Sequence, residues 1–71
     1  MMTFQELQIG DYFRIPGITP ECVYRKASSS CCSLNALLQP IRPATTVIPL
    51  TPTEITDYFV TKQEFLKSLK E

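Results

Sequence analysis

The stretch that decides the fold is Val23–Leu34, VYRKASSSCCSL, in which two strand-like segments flank three consecutive serines. Serine favours turns because its hydroxyl bonds to nearby backbone groups. We therefore expect the serines to reverse the chain, so that residues 22–28 and 30–38 form two antiparallel strands. This prediction makes the middle of the chain a β-hairpin.

The hairpin prediction also bears on the three cysteines. A two-residue turn places Cys22 opposite Asn35, and a three-residue turn places it opposite Ala36. In both registers Cys22 lies four or five strand positions from Cys31 and Cys32, or about 13–17 Å. A disulfide requires Cα atoms within about 7 Å. We therefore predict three reduced cysteines, and an odd cysteine count is typical of a reducing compartment.

The adjacent pair Cys31 and Cys32 has two interpretations. One thiol packs inward as a small apolar group and the other is a surface thiol. Alternatively, either thiol is redox-responsive, with Arg25 or Lys26 across the hairpin lowering its pKa. A structural zinc site usually needs four Cys or His ligands, and the chain has three cysteines and no histidine. We expect neither a metal nor a cofactor.

Towards the N-terminus, the sequence TFQE at Thr3–Glu6 matches a capping box and predicts one helical turn. Gly10 follows, where the chain leaves the turn, and glycine readily adopts the positive φ expected there. The next predicted strand covers Asp11–Ile15. A loop with two prolines and a glycine, residues 16–21, leads into the hairpin.

Towards the C-terminus, Thr45–Leu50 is predicted as a final strand, with Pro49 at an edge of the sheet. The sequence TPTE at Thr51–Glu54 combines a threonine cap, a proline at the first helical position and a glutamate three residues after the cap. A second helix start, TKQE, covers residues 61–64. The two starts predict two short helices joined near Val60.

These elements predict a mainly β fold, either a small SH3-like barrel or a curved antiparallel sheet of four or five short strands. We expect one domain, with a small β-barrel over residues 1–50. Residues 51–71 form a C-terminal helical extension packed on the barrel or on a partner. The predicted core consists of Phe4, Leu7, Phe13, Ile15, Val23, Leu34, Leu37, Ile41, Val47, Leu50, Phe59 and Leu66.

Composition restricts the function further. Seven basic residues balance seven acidic ones, whereas non-specific nucleic-acid binding normally requires a surplus of Lys and Arg. No apolar run approaches the roughly 18–20 residues that span a bilayer. The absence of histidine excludes Ser–His and Cys–His catalysis, and only two glycines are present. We therefore predict a cytoplasmic, non-enzymatic protein that does not bind membranes.

One set of side chains forms a candidate binding surface. Tyr12 and Arg14 alternate on one face of a strand, and Tyr24 and Lys26 alternate on the next strand, beside Arg25. If the two faces coincide, these residues stack bases and contact phosphates of a single-stranded nucleic acid. In the alternative, one tyrosine packs in the core and the cations pair with nearby acids.

A protein partner is the leading interpretation. The predicted helix carries an apolar stripe at Phe65, Leu66 and Leu69, which packs either on its own sheet or on another chain. The partner is another protein or a second copy, and the single-stranded nucleic acid is the alternative. The chain is thus predicted to be an interaction module or a small regulatory subunit.

The motif F-x-x-L-x-x-G-D-x-F-R at residues 4–14, with V-Y-x-K-x-S at residues 23–28, resembles a family of small uncharacterised bacterial proteins, including cyanobacterial ones. The resemblance covers Thr3 to Leu50. It implies a bacterial origin and a compact β-barrel. It transfers no activity and no functional residues.

Overall fold

The computed structural model describes the backbone of residues 2–69 and the side chains of residues 2–63. Its fold is mainly β, as predicted, but the antiparallel sheet is open and has six strands in the order β1-β6-β2-β3-β4-β5. A single 3-10 turn, Phe4–Glu6, lies near the N-terminus. The other elements are β1 Met2–Thr3, β2 Tyr12–Arg14, β3 Tyr24–Lys26, β4 Cys31–Leu34, β5 Leu37–Pro40, β6 Thr46–Pro49 and α1 Pro52–Leu69.

The serine triplet reverses the chain, as predicted. Strands β3 and β4 are antiparallel, with Arg25 opposite Ser33 and Lys26 opposite Cys32. This pairing corresponds to the three-residue turn, and the amide of Ala27 donates to the carbonyl oxygen of Cys31 across it. All three cysteines are free. The hairpin prediction is confirmed, with its register now determined.

Residues 30–38, predicted to hold one strand, contain β4 and also the start of β5, because the chain turns again inside this stretch. Asn35 and Ala36 connect β4 to β5, and both have positive φ, 51° and 67°. Two successive residues with positive φ form the tight hairpin turn that matches the twist of the flanking strands. Alanine rarely adopts this conformation, so the sequence carries only the asparagine as a signal.

The sheet order places β6 between β1 and β2. Strand β1 pairs only with Thr46 and Val47, so the end of β6 at Pro49 has a partner on the β2 side alone, as the prediction of an edge position for Pro49 requires. Strand β5 is the outermost strand at the other end of the sheet. There the amide of Ile41 donates to the carbonyl oxygen of Ser30, so the nitrogen of Pro40 faces away from β4. Because proline has no N–H, it removes one donor from this exposed edge.

The core is built from aromatic and small apolar side chains. Phe4 meets Phe13 edge-on at 5.6 Å between ring centroids, and Phe13 stacks on Tyr24 at the same separation. The predicted core residues that are buried or packed against the core are Phe4, Leu7, Phe13, Ile15, Val23, Leu34, Ile41, Val47 and Leu50.

Three buried residues, Tyr24, Lys26 and Cys32, were absent from the predicted core. Two predicted core residues are exposed. Leu37 is at the tip of the β4–β5 hairpin, beyond the reach of the core, and Phe59 lies on α1 outside the sheet. The side chain of Leu66 lies outside the described residues.

Helix α1 begins as predicted. The amide of Glu54 donates to the hydroxyl of Thr51, and the amide of Thr51 donates to the carboxylate of Glu54, which is a reciprocal capping box. The prediction of two helices is wrong, since α1 runs unbroken from Pro52 to Leu69. Thr61 is tolerated inside the helix because threonine lowers helix propensity only slightly. Among the described residues, no helix has both the length and the hydropathy to cross a bilayer.

Candidate functional site

The two faces of the sheet differ in character. Tyr12, Arg25, Ser33 and Leu38 occupy successive strands directly opposite one another, so they form a row across the sheet. This row lies on the face away from the core, because Phe13, the neighbour of Tyr12, is fully buried. We call this face the outer face. Four consecutive strands therefore contribute one continuous line of accessible side chains.

The predicted binding residues divide between the two faces. Tyr12, Arg14 and Arg25 lie on the outer face, whereas Tyr24 and Lys26 lie in the core. The pairing of Phe13 with Tyr24 places Tyr24 on the same side as Phe13, and Lys26 follows two residues later on that side. The face of Tyr12 and Arg14 therefore does not coincide with the face of Tyr24 and Lys26, and the alternative, in which one tyrosine packs in the core, describes Tyr24.

Tyr24 is a core residue rather than a contact residue. Its ring stacks on Phe13 with an angle of 20° between the ring planes, and the side chain is 6% exposed. Burial raises the pKa of its phenol, and the neighbouring Cys22 and Cys32 raise it further. The ring can therefore stack on no external base without unfolding of the core.

Lys26 is buried beneath the N-terminal turn. Its ammonium group donates to the carbonyl oxygens of Phe4 at 3.0 Å and Leu7 at 2.7 Å, and it lies 4.6 Å from the centroid of the Phe4 ring. Phe4 begins the turn and Leu7 follows its last residue, so the ammonium group bridges the two ends of the turn through charge-assisted hydrogen bonds. Lys26 therefore holds the turn on the sheet and does not reach solvent ligands.

Helix α1 packs against the outer face through two contacts. The ring of Phe59 meets Tyr12 edge-on at 5.5 Å. Arg14 forms an ion pair with Glu54 in the first turn of the helix, and its Nε donates to the carbonyl oxygen of Pro20. Arg14 is therefore engaged in a structural contact, and of the outer-face cations Arg25 is the more available for a partner.

Helix α1 and the outer face form the two sides of a cleft, which we call the cationic cleft. Its volume is about 140 Å³. Its cations are Arg25 from β3 and Lys62 from α1, and Tyr58 lies beneath Lys62, whose Nζ is 5.7 Å from the ring centroid. No carboxylate is among the described side chains that line it. The cleft thus combines positive charge with aromatic walls.

The opposite side of α1 has a different charge. A cleft of about 270 Å³ lies there and contains Arg14, Glu54 and Asp57. The Glu54 carboxylate accepts from the backbone amide of Thr51, and this bond, followed by those from Arg14 and the Thr51 hydroxyl, lowers its pKa. In its described part the helix therefore has Glu54 and Asp57 beside one cleft and Lys62 beside the other.

The two redox candidates also differ in placement. Cys32 is 2% exposed, and burial raises its pKa, with a further contribution from Cys31. Cys31 is half-buried beside an open hollow of about 450 Å³ that includes Ile41 and Arg42. Only Cys31 therefore has access to solvent reagents. Among the described residues, no group of three Cys, Asp or Glu side chains is placed to bind a metal ion.

Sequence reasoning missed two residues of this surface, Tyr58 and Lys62. It placed Phe59 in the core, whereas the ring lies half-exposed against Tyr12. The helix start at Thr51 was a usable signal for the helix itself. Its packing against Tyr12 had no local signal, because it depends on the direction in which the chain leaves β6.

Comparison of the chain with protein-family models, with curated proteins and with solved structures found no match.

Proposed function

We propose that this protein is a non-enzymatic interaction module that binds another protein through the outer face and helix α1. The observation that carries the proposal is a set of exposed apolar side chains on this surface. Leu38 is 70% exposed, Val60 is 48% exposed, and Phe59, which contacts Tyr12, is 40% exposed. Phe59 and Val60 are successive residues of α1, and Leu38 lies at the far end of the outer-face row. Single exposed apolar residues are ordinary, whereas several on one surface are typical of a binding surface.

The arrangement of these residues supports the proposal. Phe59 contacts Tyr12, and Tyr12 begins the row that ends at Leu38 on the edge strand. Arg25 and Ser33 lie between them. The surface therefore has apolar ends and a polar centre. A partner can bury apolar side chains at the ends and be oriented by hydrogen bonds at the centre, as in protein interfaces.

The shape of the molecule also supports it. An α-helix of 18 residues, Pro52–Leu69, is about 27 Å long. The Cα radius of gyration is 12.9 Å, whereas a compact chain of this length has about 11 Å. The molecule measures 43 × 23 × 21 Å, which is elongated along one axis. An extended helix provides more surface than one folded back on its own core.

Site-specific photo-crosslinking in cells tests the proposal. A photoreactive amino acid replaces Leu38 in one variant and Val60 in another, and the matched control carries it at Gln5, which is exposed on the N-terminal turn. We expect the first two variants to form the same crosslinked protein species and the control to form none. Absence of crosslinks from both test positions contradicts the proposal, as does an identical pattern from the control.

A second candidate is binding of single-stranded nucleic acid. It is favoured by Tyr12, Arg14 and Arg25, which remain together on the outer face. It is weakened by the burial of Tyr24 and Lys26 and by the zero net charge. Titration with a labelled ten-nucleotide strand at low salt separates the candidates, because such binding depends strongly on salt. No change in anisotropy at low salt removes this candidate.

The biological setting follows the same proposal. We place the protein in a reducing, cytoplasmic compartment, which is supported by three cysteines without a disulfide. The bacterial origin is supported by the motif at residues 4–28 alone, and the SH3-like architecture by the short strands and the prolines that separate them. A homo-oligomer is the alternative to a foreign partner, and sedimentation measurements over a range of concentrations distinguish the two.

A further inference from the structure

We infer that the cationic cleft binds an acidic segment of the partner protein, and that this segment inserts one apolar side chain between the sheet and α1. The inference rests on the proposed function and adds to it the chemistry of the partner. It depends on three properties of the cleft, which are its charge, its walls and its volume.

The positive charge of the cleft requires a negatively charged partner segment. Arg25 lines the cleft from β3, with a guanidinium nitrogen beside Gly10, and Lys62 lines it from α1. Within the described part of the chain neither forms an ion pair. Two like charges at one site repel each other weakly in solvent and both attract carboxylates. An acidic segment that crosses the cleft contacts a guanidinium on one side and an ammonium on the other.

The walls determine what enters between the two charges. Tyr12, Tyr58 and Phe59 present ring surfaces, with Tyr58 and Phe59 meeting edge-on at 5.5 Å between centroids. Ser33 and Asn35 supply polar groups at the sheet side. Aromatic rings prefer offset or edge-on neighbours and bury a large apolar area. An aliphatic or aromatic side chain is therefore the group that these walls accept.

The volume sets the size of the inserted group. Ligand pockets typically occupy about 300–1,000 Å³, and a cavity of about 150 Å³ holds one benzene molecule. The cleft, at about 140 Å³, therefore accommodates one side chain. A nucleotide with its sugar and phosphate exceeds this volume, which favours a peptide over a nucleic acid.

A peptide titration tests the inference. The probe is a fluorescein-labelled heptapeptide with one phenylalanine between three acidic residues on each side. One control peptide has alanine at the centre, and the other has lysine in place of every acidic residue. We expect binding of the first peptide, with at least about tenfold weaker binding of either control, which corresponds to about 1.4 kcal/mol.

Protein variants locate the binding. We expect Arg25→Glu and Lys62→Glu each to weaken the binding of the acidic peptide by about tenfold or more. The matched control, Arg42→Glu, changes an exposed cation beside the other hollow and leaves the affinity unchanged. Circular dichroism verifies that the three variants are equally folded.

Four outcomes overturn the inference. The first is that the acidic peptide does not bind at about 1 mM, a concentration at which even weak contacts are detected, and the second is that the lysine peptide binds equally well. The third is that a ten-nucleotide strand binds more tightly than the peptide and loses its binding in the same variants. The fourth is that the protein forms a dimer that Arg25→Glu dissociates. The proposed function has its own test, because crosslinks from Leu38 and Val60 persist whatever the charge of the partner segment.

Discussion

The ammonium group of Lys26 donates a hydrogen bond of 2.7 Å to the main-chain carbonyl oxygen of Leu7, inside the core of the sheet. The contact joins the last residue of β3 to the residue that follows the N-terminal turn, 19 residues earlier. A charge at such a position is tolerated because the turn holds two carbonyl oxygens, those of Phe4 and Leu7, within hydrogen-bond distance of it. The turn and the sheet therefore stabilise each other.

Replacement of this lysine is expected to destabilise the fold. Lys26→Met keeps the aliphatic stem but removes two charge-assisted donors, which leaves the carbonyl oxygens of Phe4 and Leu7 without this partner. We expect a loss of about 2–4 kcal/mol in the free energy of unfolding. Urea denaturation followed by circular dichroism measures the loss.

The control for that experiment is Lys62→Met, at an exposed position of α1. Its stability is expected to stay within about 0.5 kcal/mol of the parent protein. Equal stability of Lys26→Met and the parent protein would show that the two hydrogen bonds contribute nothing.

The β4–β5 turn predicts a stabilising substitution. Ala36 has a φ of 67°, a conformation that disfavours any residue with a Cβ. Ala36→Gly is expected to raise stability by about 0.5–1 kcal/mol, since relief of this strain exceeds the entropy that glycine adds to the unfolded chain. Thermal denaturation measures the change. Ala44 is an exposed turn residue that does not have a positive φ. Ala44→Gly should therefore lower the stability.

The two adjacent cysteines are expected to react at different rates. Burial and a raised pKa protect the thiol of Cys32, whereas Cys31 is half-buried and reachable. With iodoacetamide at pH 8, Cys31 should be alkylated first, and Cys32 should react more slowly than free cysteine does. Tandem mass spectrometry identifies which residue carries the label. Simultaneous labelling of both residues in the folded protein would refute the assignment.

Tyr24 links stability to alkaline pH. Its pKa is raised by burial, so the folded state favours the neutral phenol. This contribution is fully present below the unfolded pKa of about 10 and is lost as pH rises through the higher folded value. Tyr24→Phe keeps the ring stacked on Phe13 and cannot ionise. As the pH rises from about 9 to 11, we expect the free energy of unfolding to fall less in this variant than in the parent protein. Urea titrations at each pH measure this free energy.

Glu54 links stability to acidic pH in the opposite sense. Its pKa is lowered, first by the backbone amide of Thr51 and then by Arg14. Its contribution is present above the unfolded pKa of about 4.3 and is lost as pH falls through the lower folded value. Ellipticity at 222 nm should therefore fall below about pH 4. Glu54→Gln should show a smaller loss, and equal acid sensitivity in both proteins would rule out this role of the cap.

The features that were predicted correctly are those specified by neighbours in the chain. The serine triplet reverses the chain because serine side chains bond to local backbone. Thr51 and Glu54 begin α1 because the two residues cap each other within one turn. The positive φ of 99° at Gly10 likewise belongs to a residue that adopts it at no steric cost.

The sequence by itself determined the mainly β class, the hairpin at the serines and the helix start, because each depends on contacts within a few residues. Alternation also placed Tyr24 and Lys26 on one side of β3. Only the tertiary structure decided that this side faces inward, because a lysine is buried only where distant carbonyl oxygens receive it. Packing of α1 beside Tyr12, which creates the cationic cleft, was likewise decided by contacts between residues more than forty positions apart.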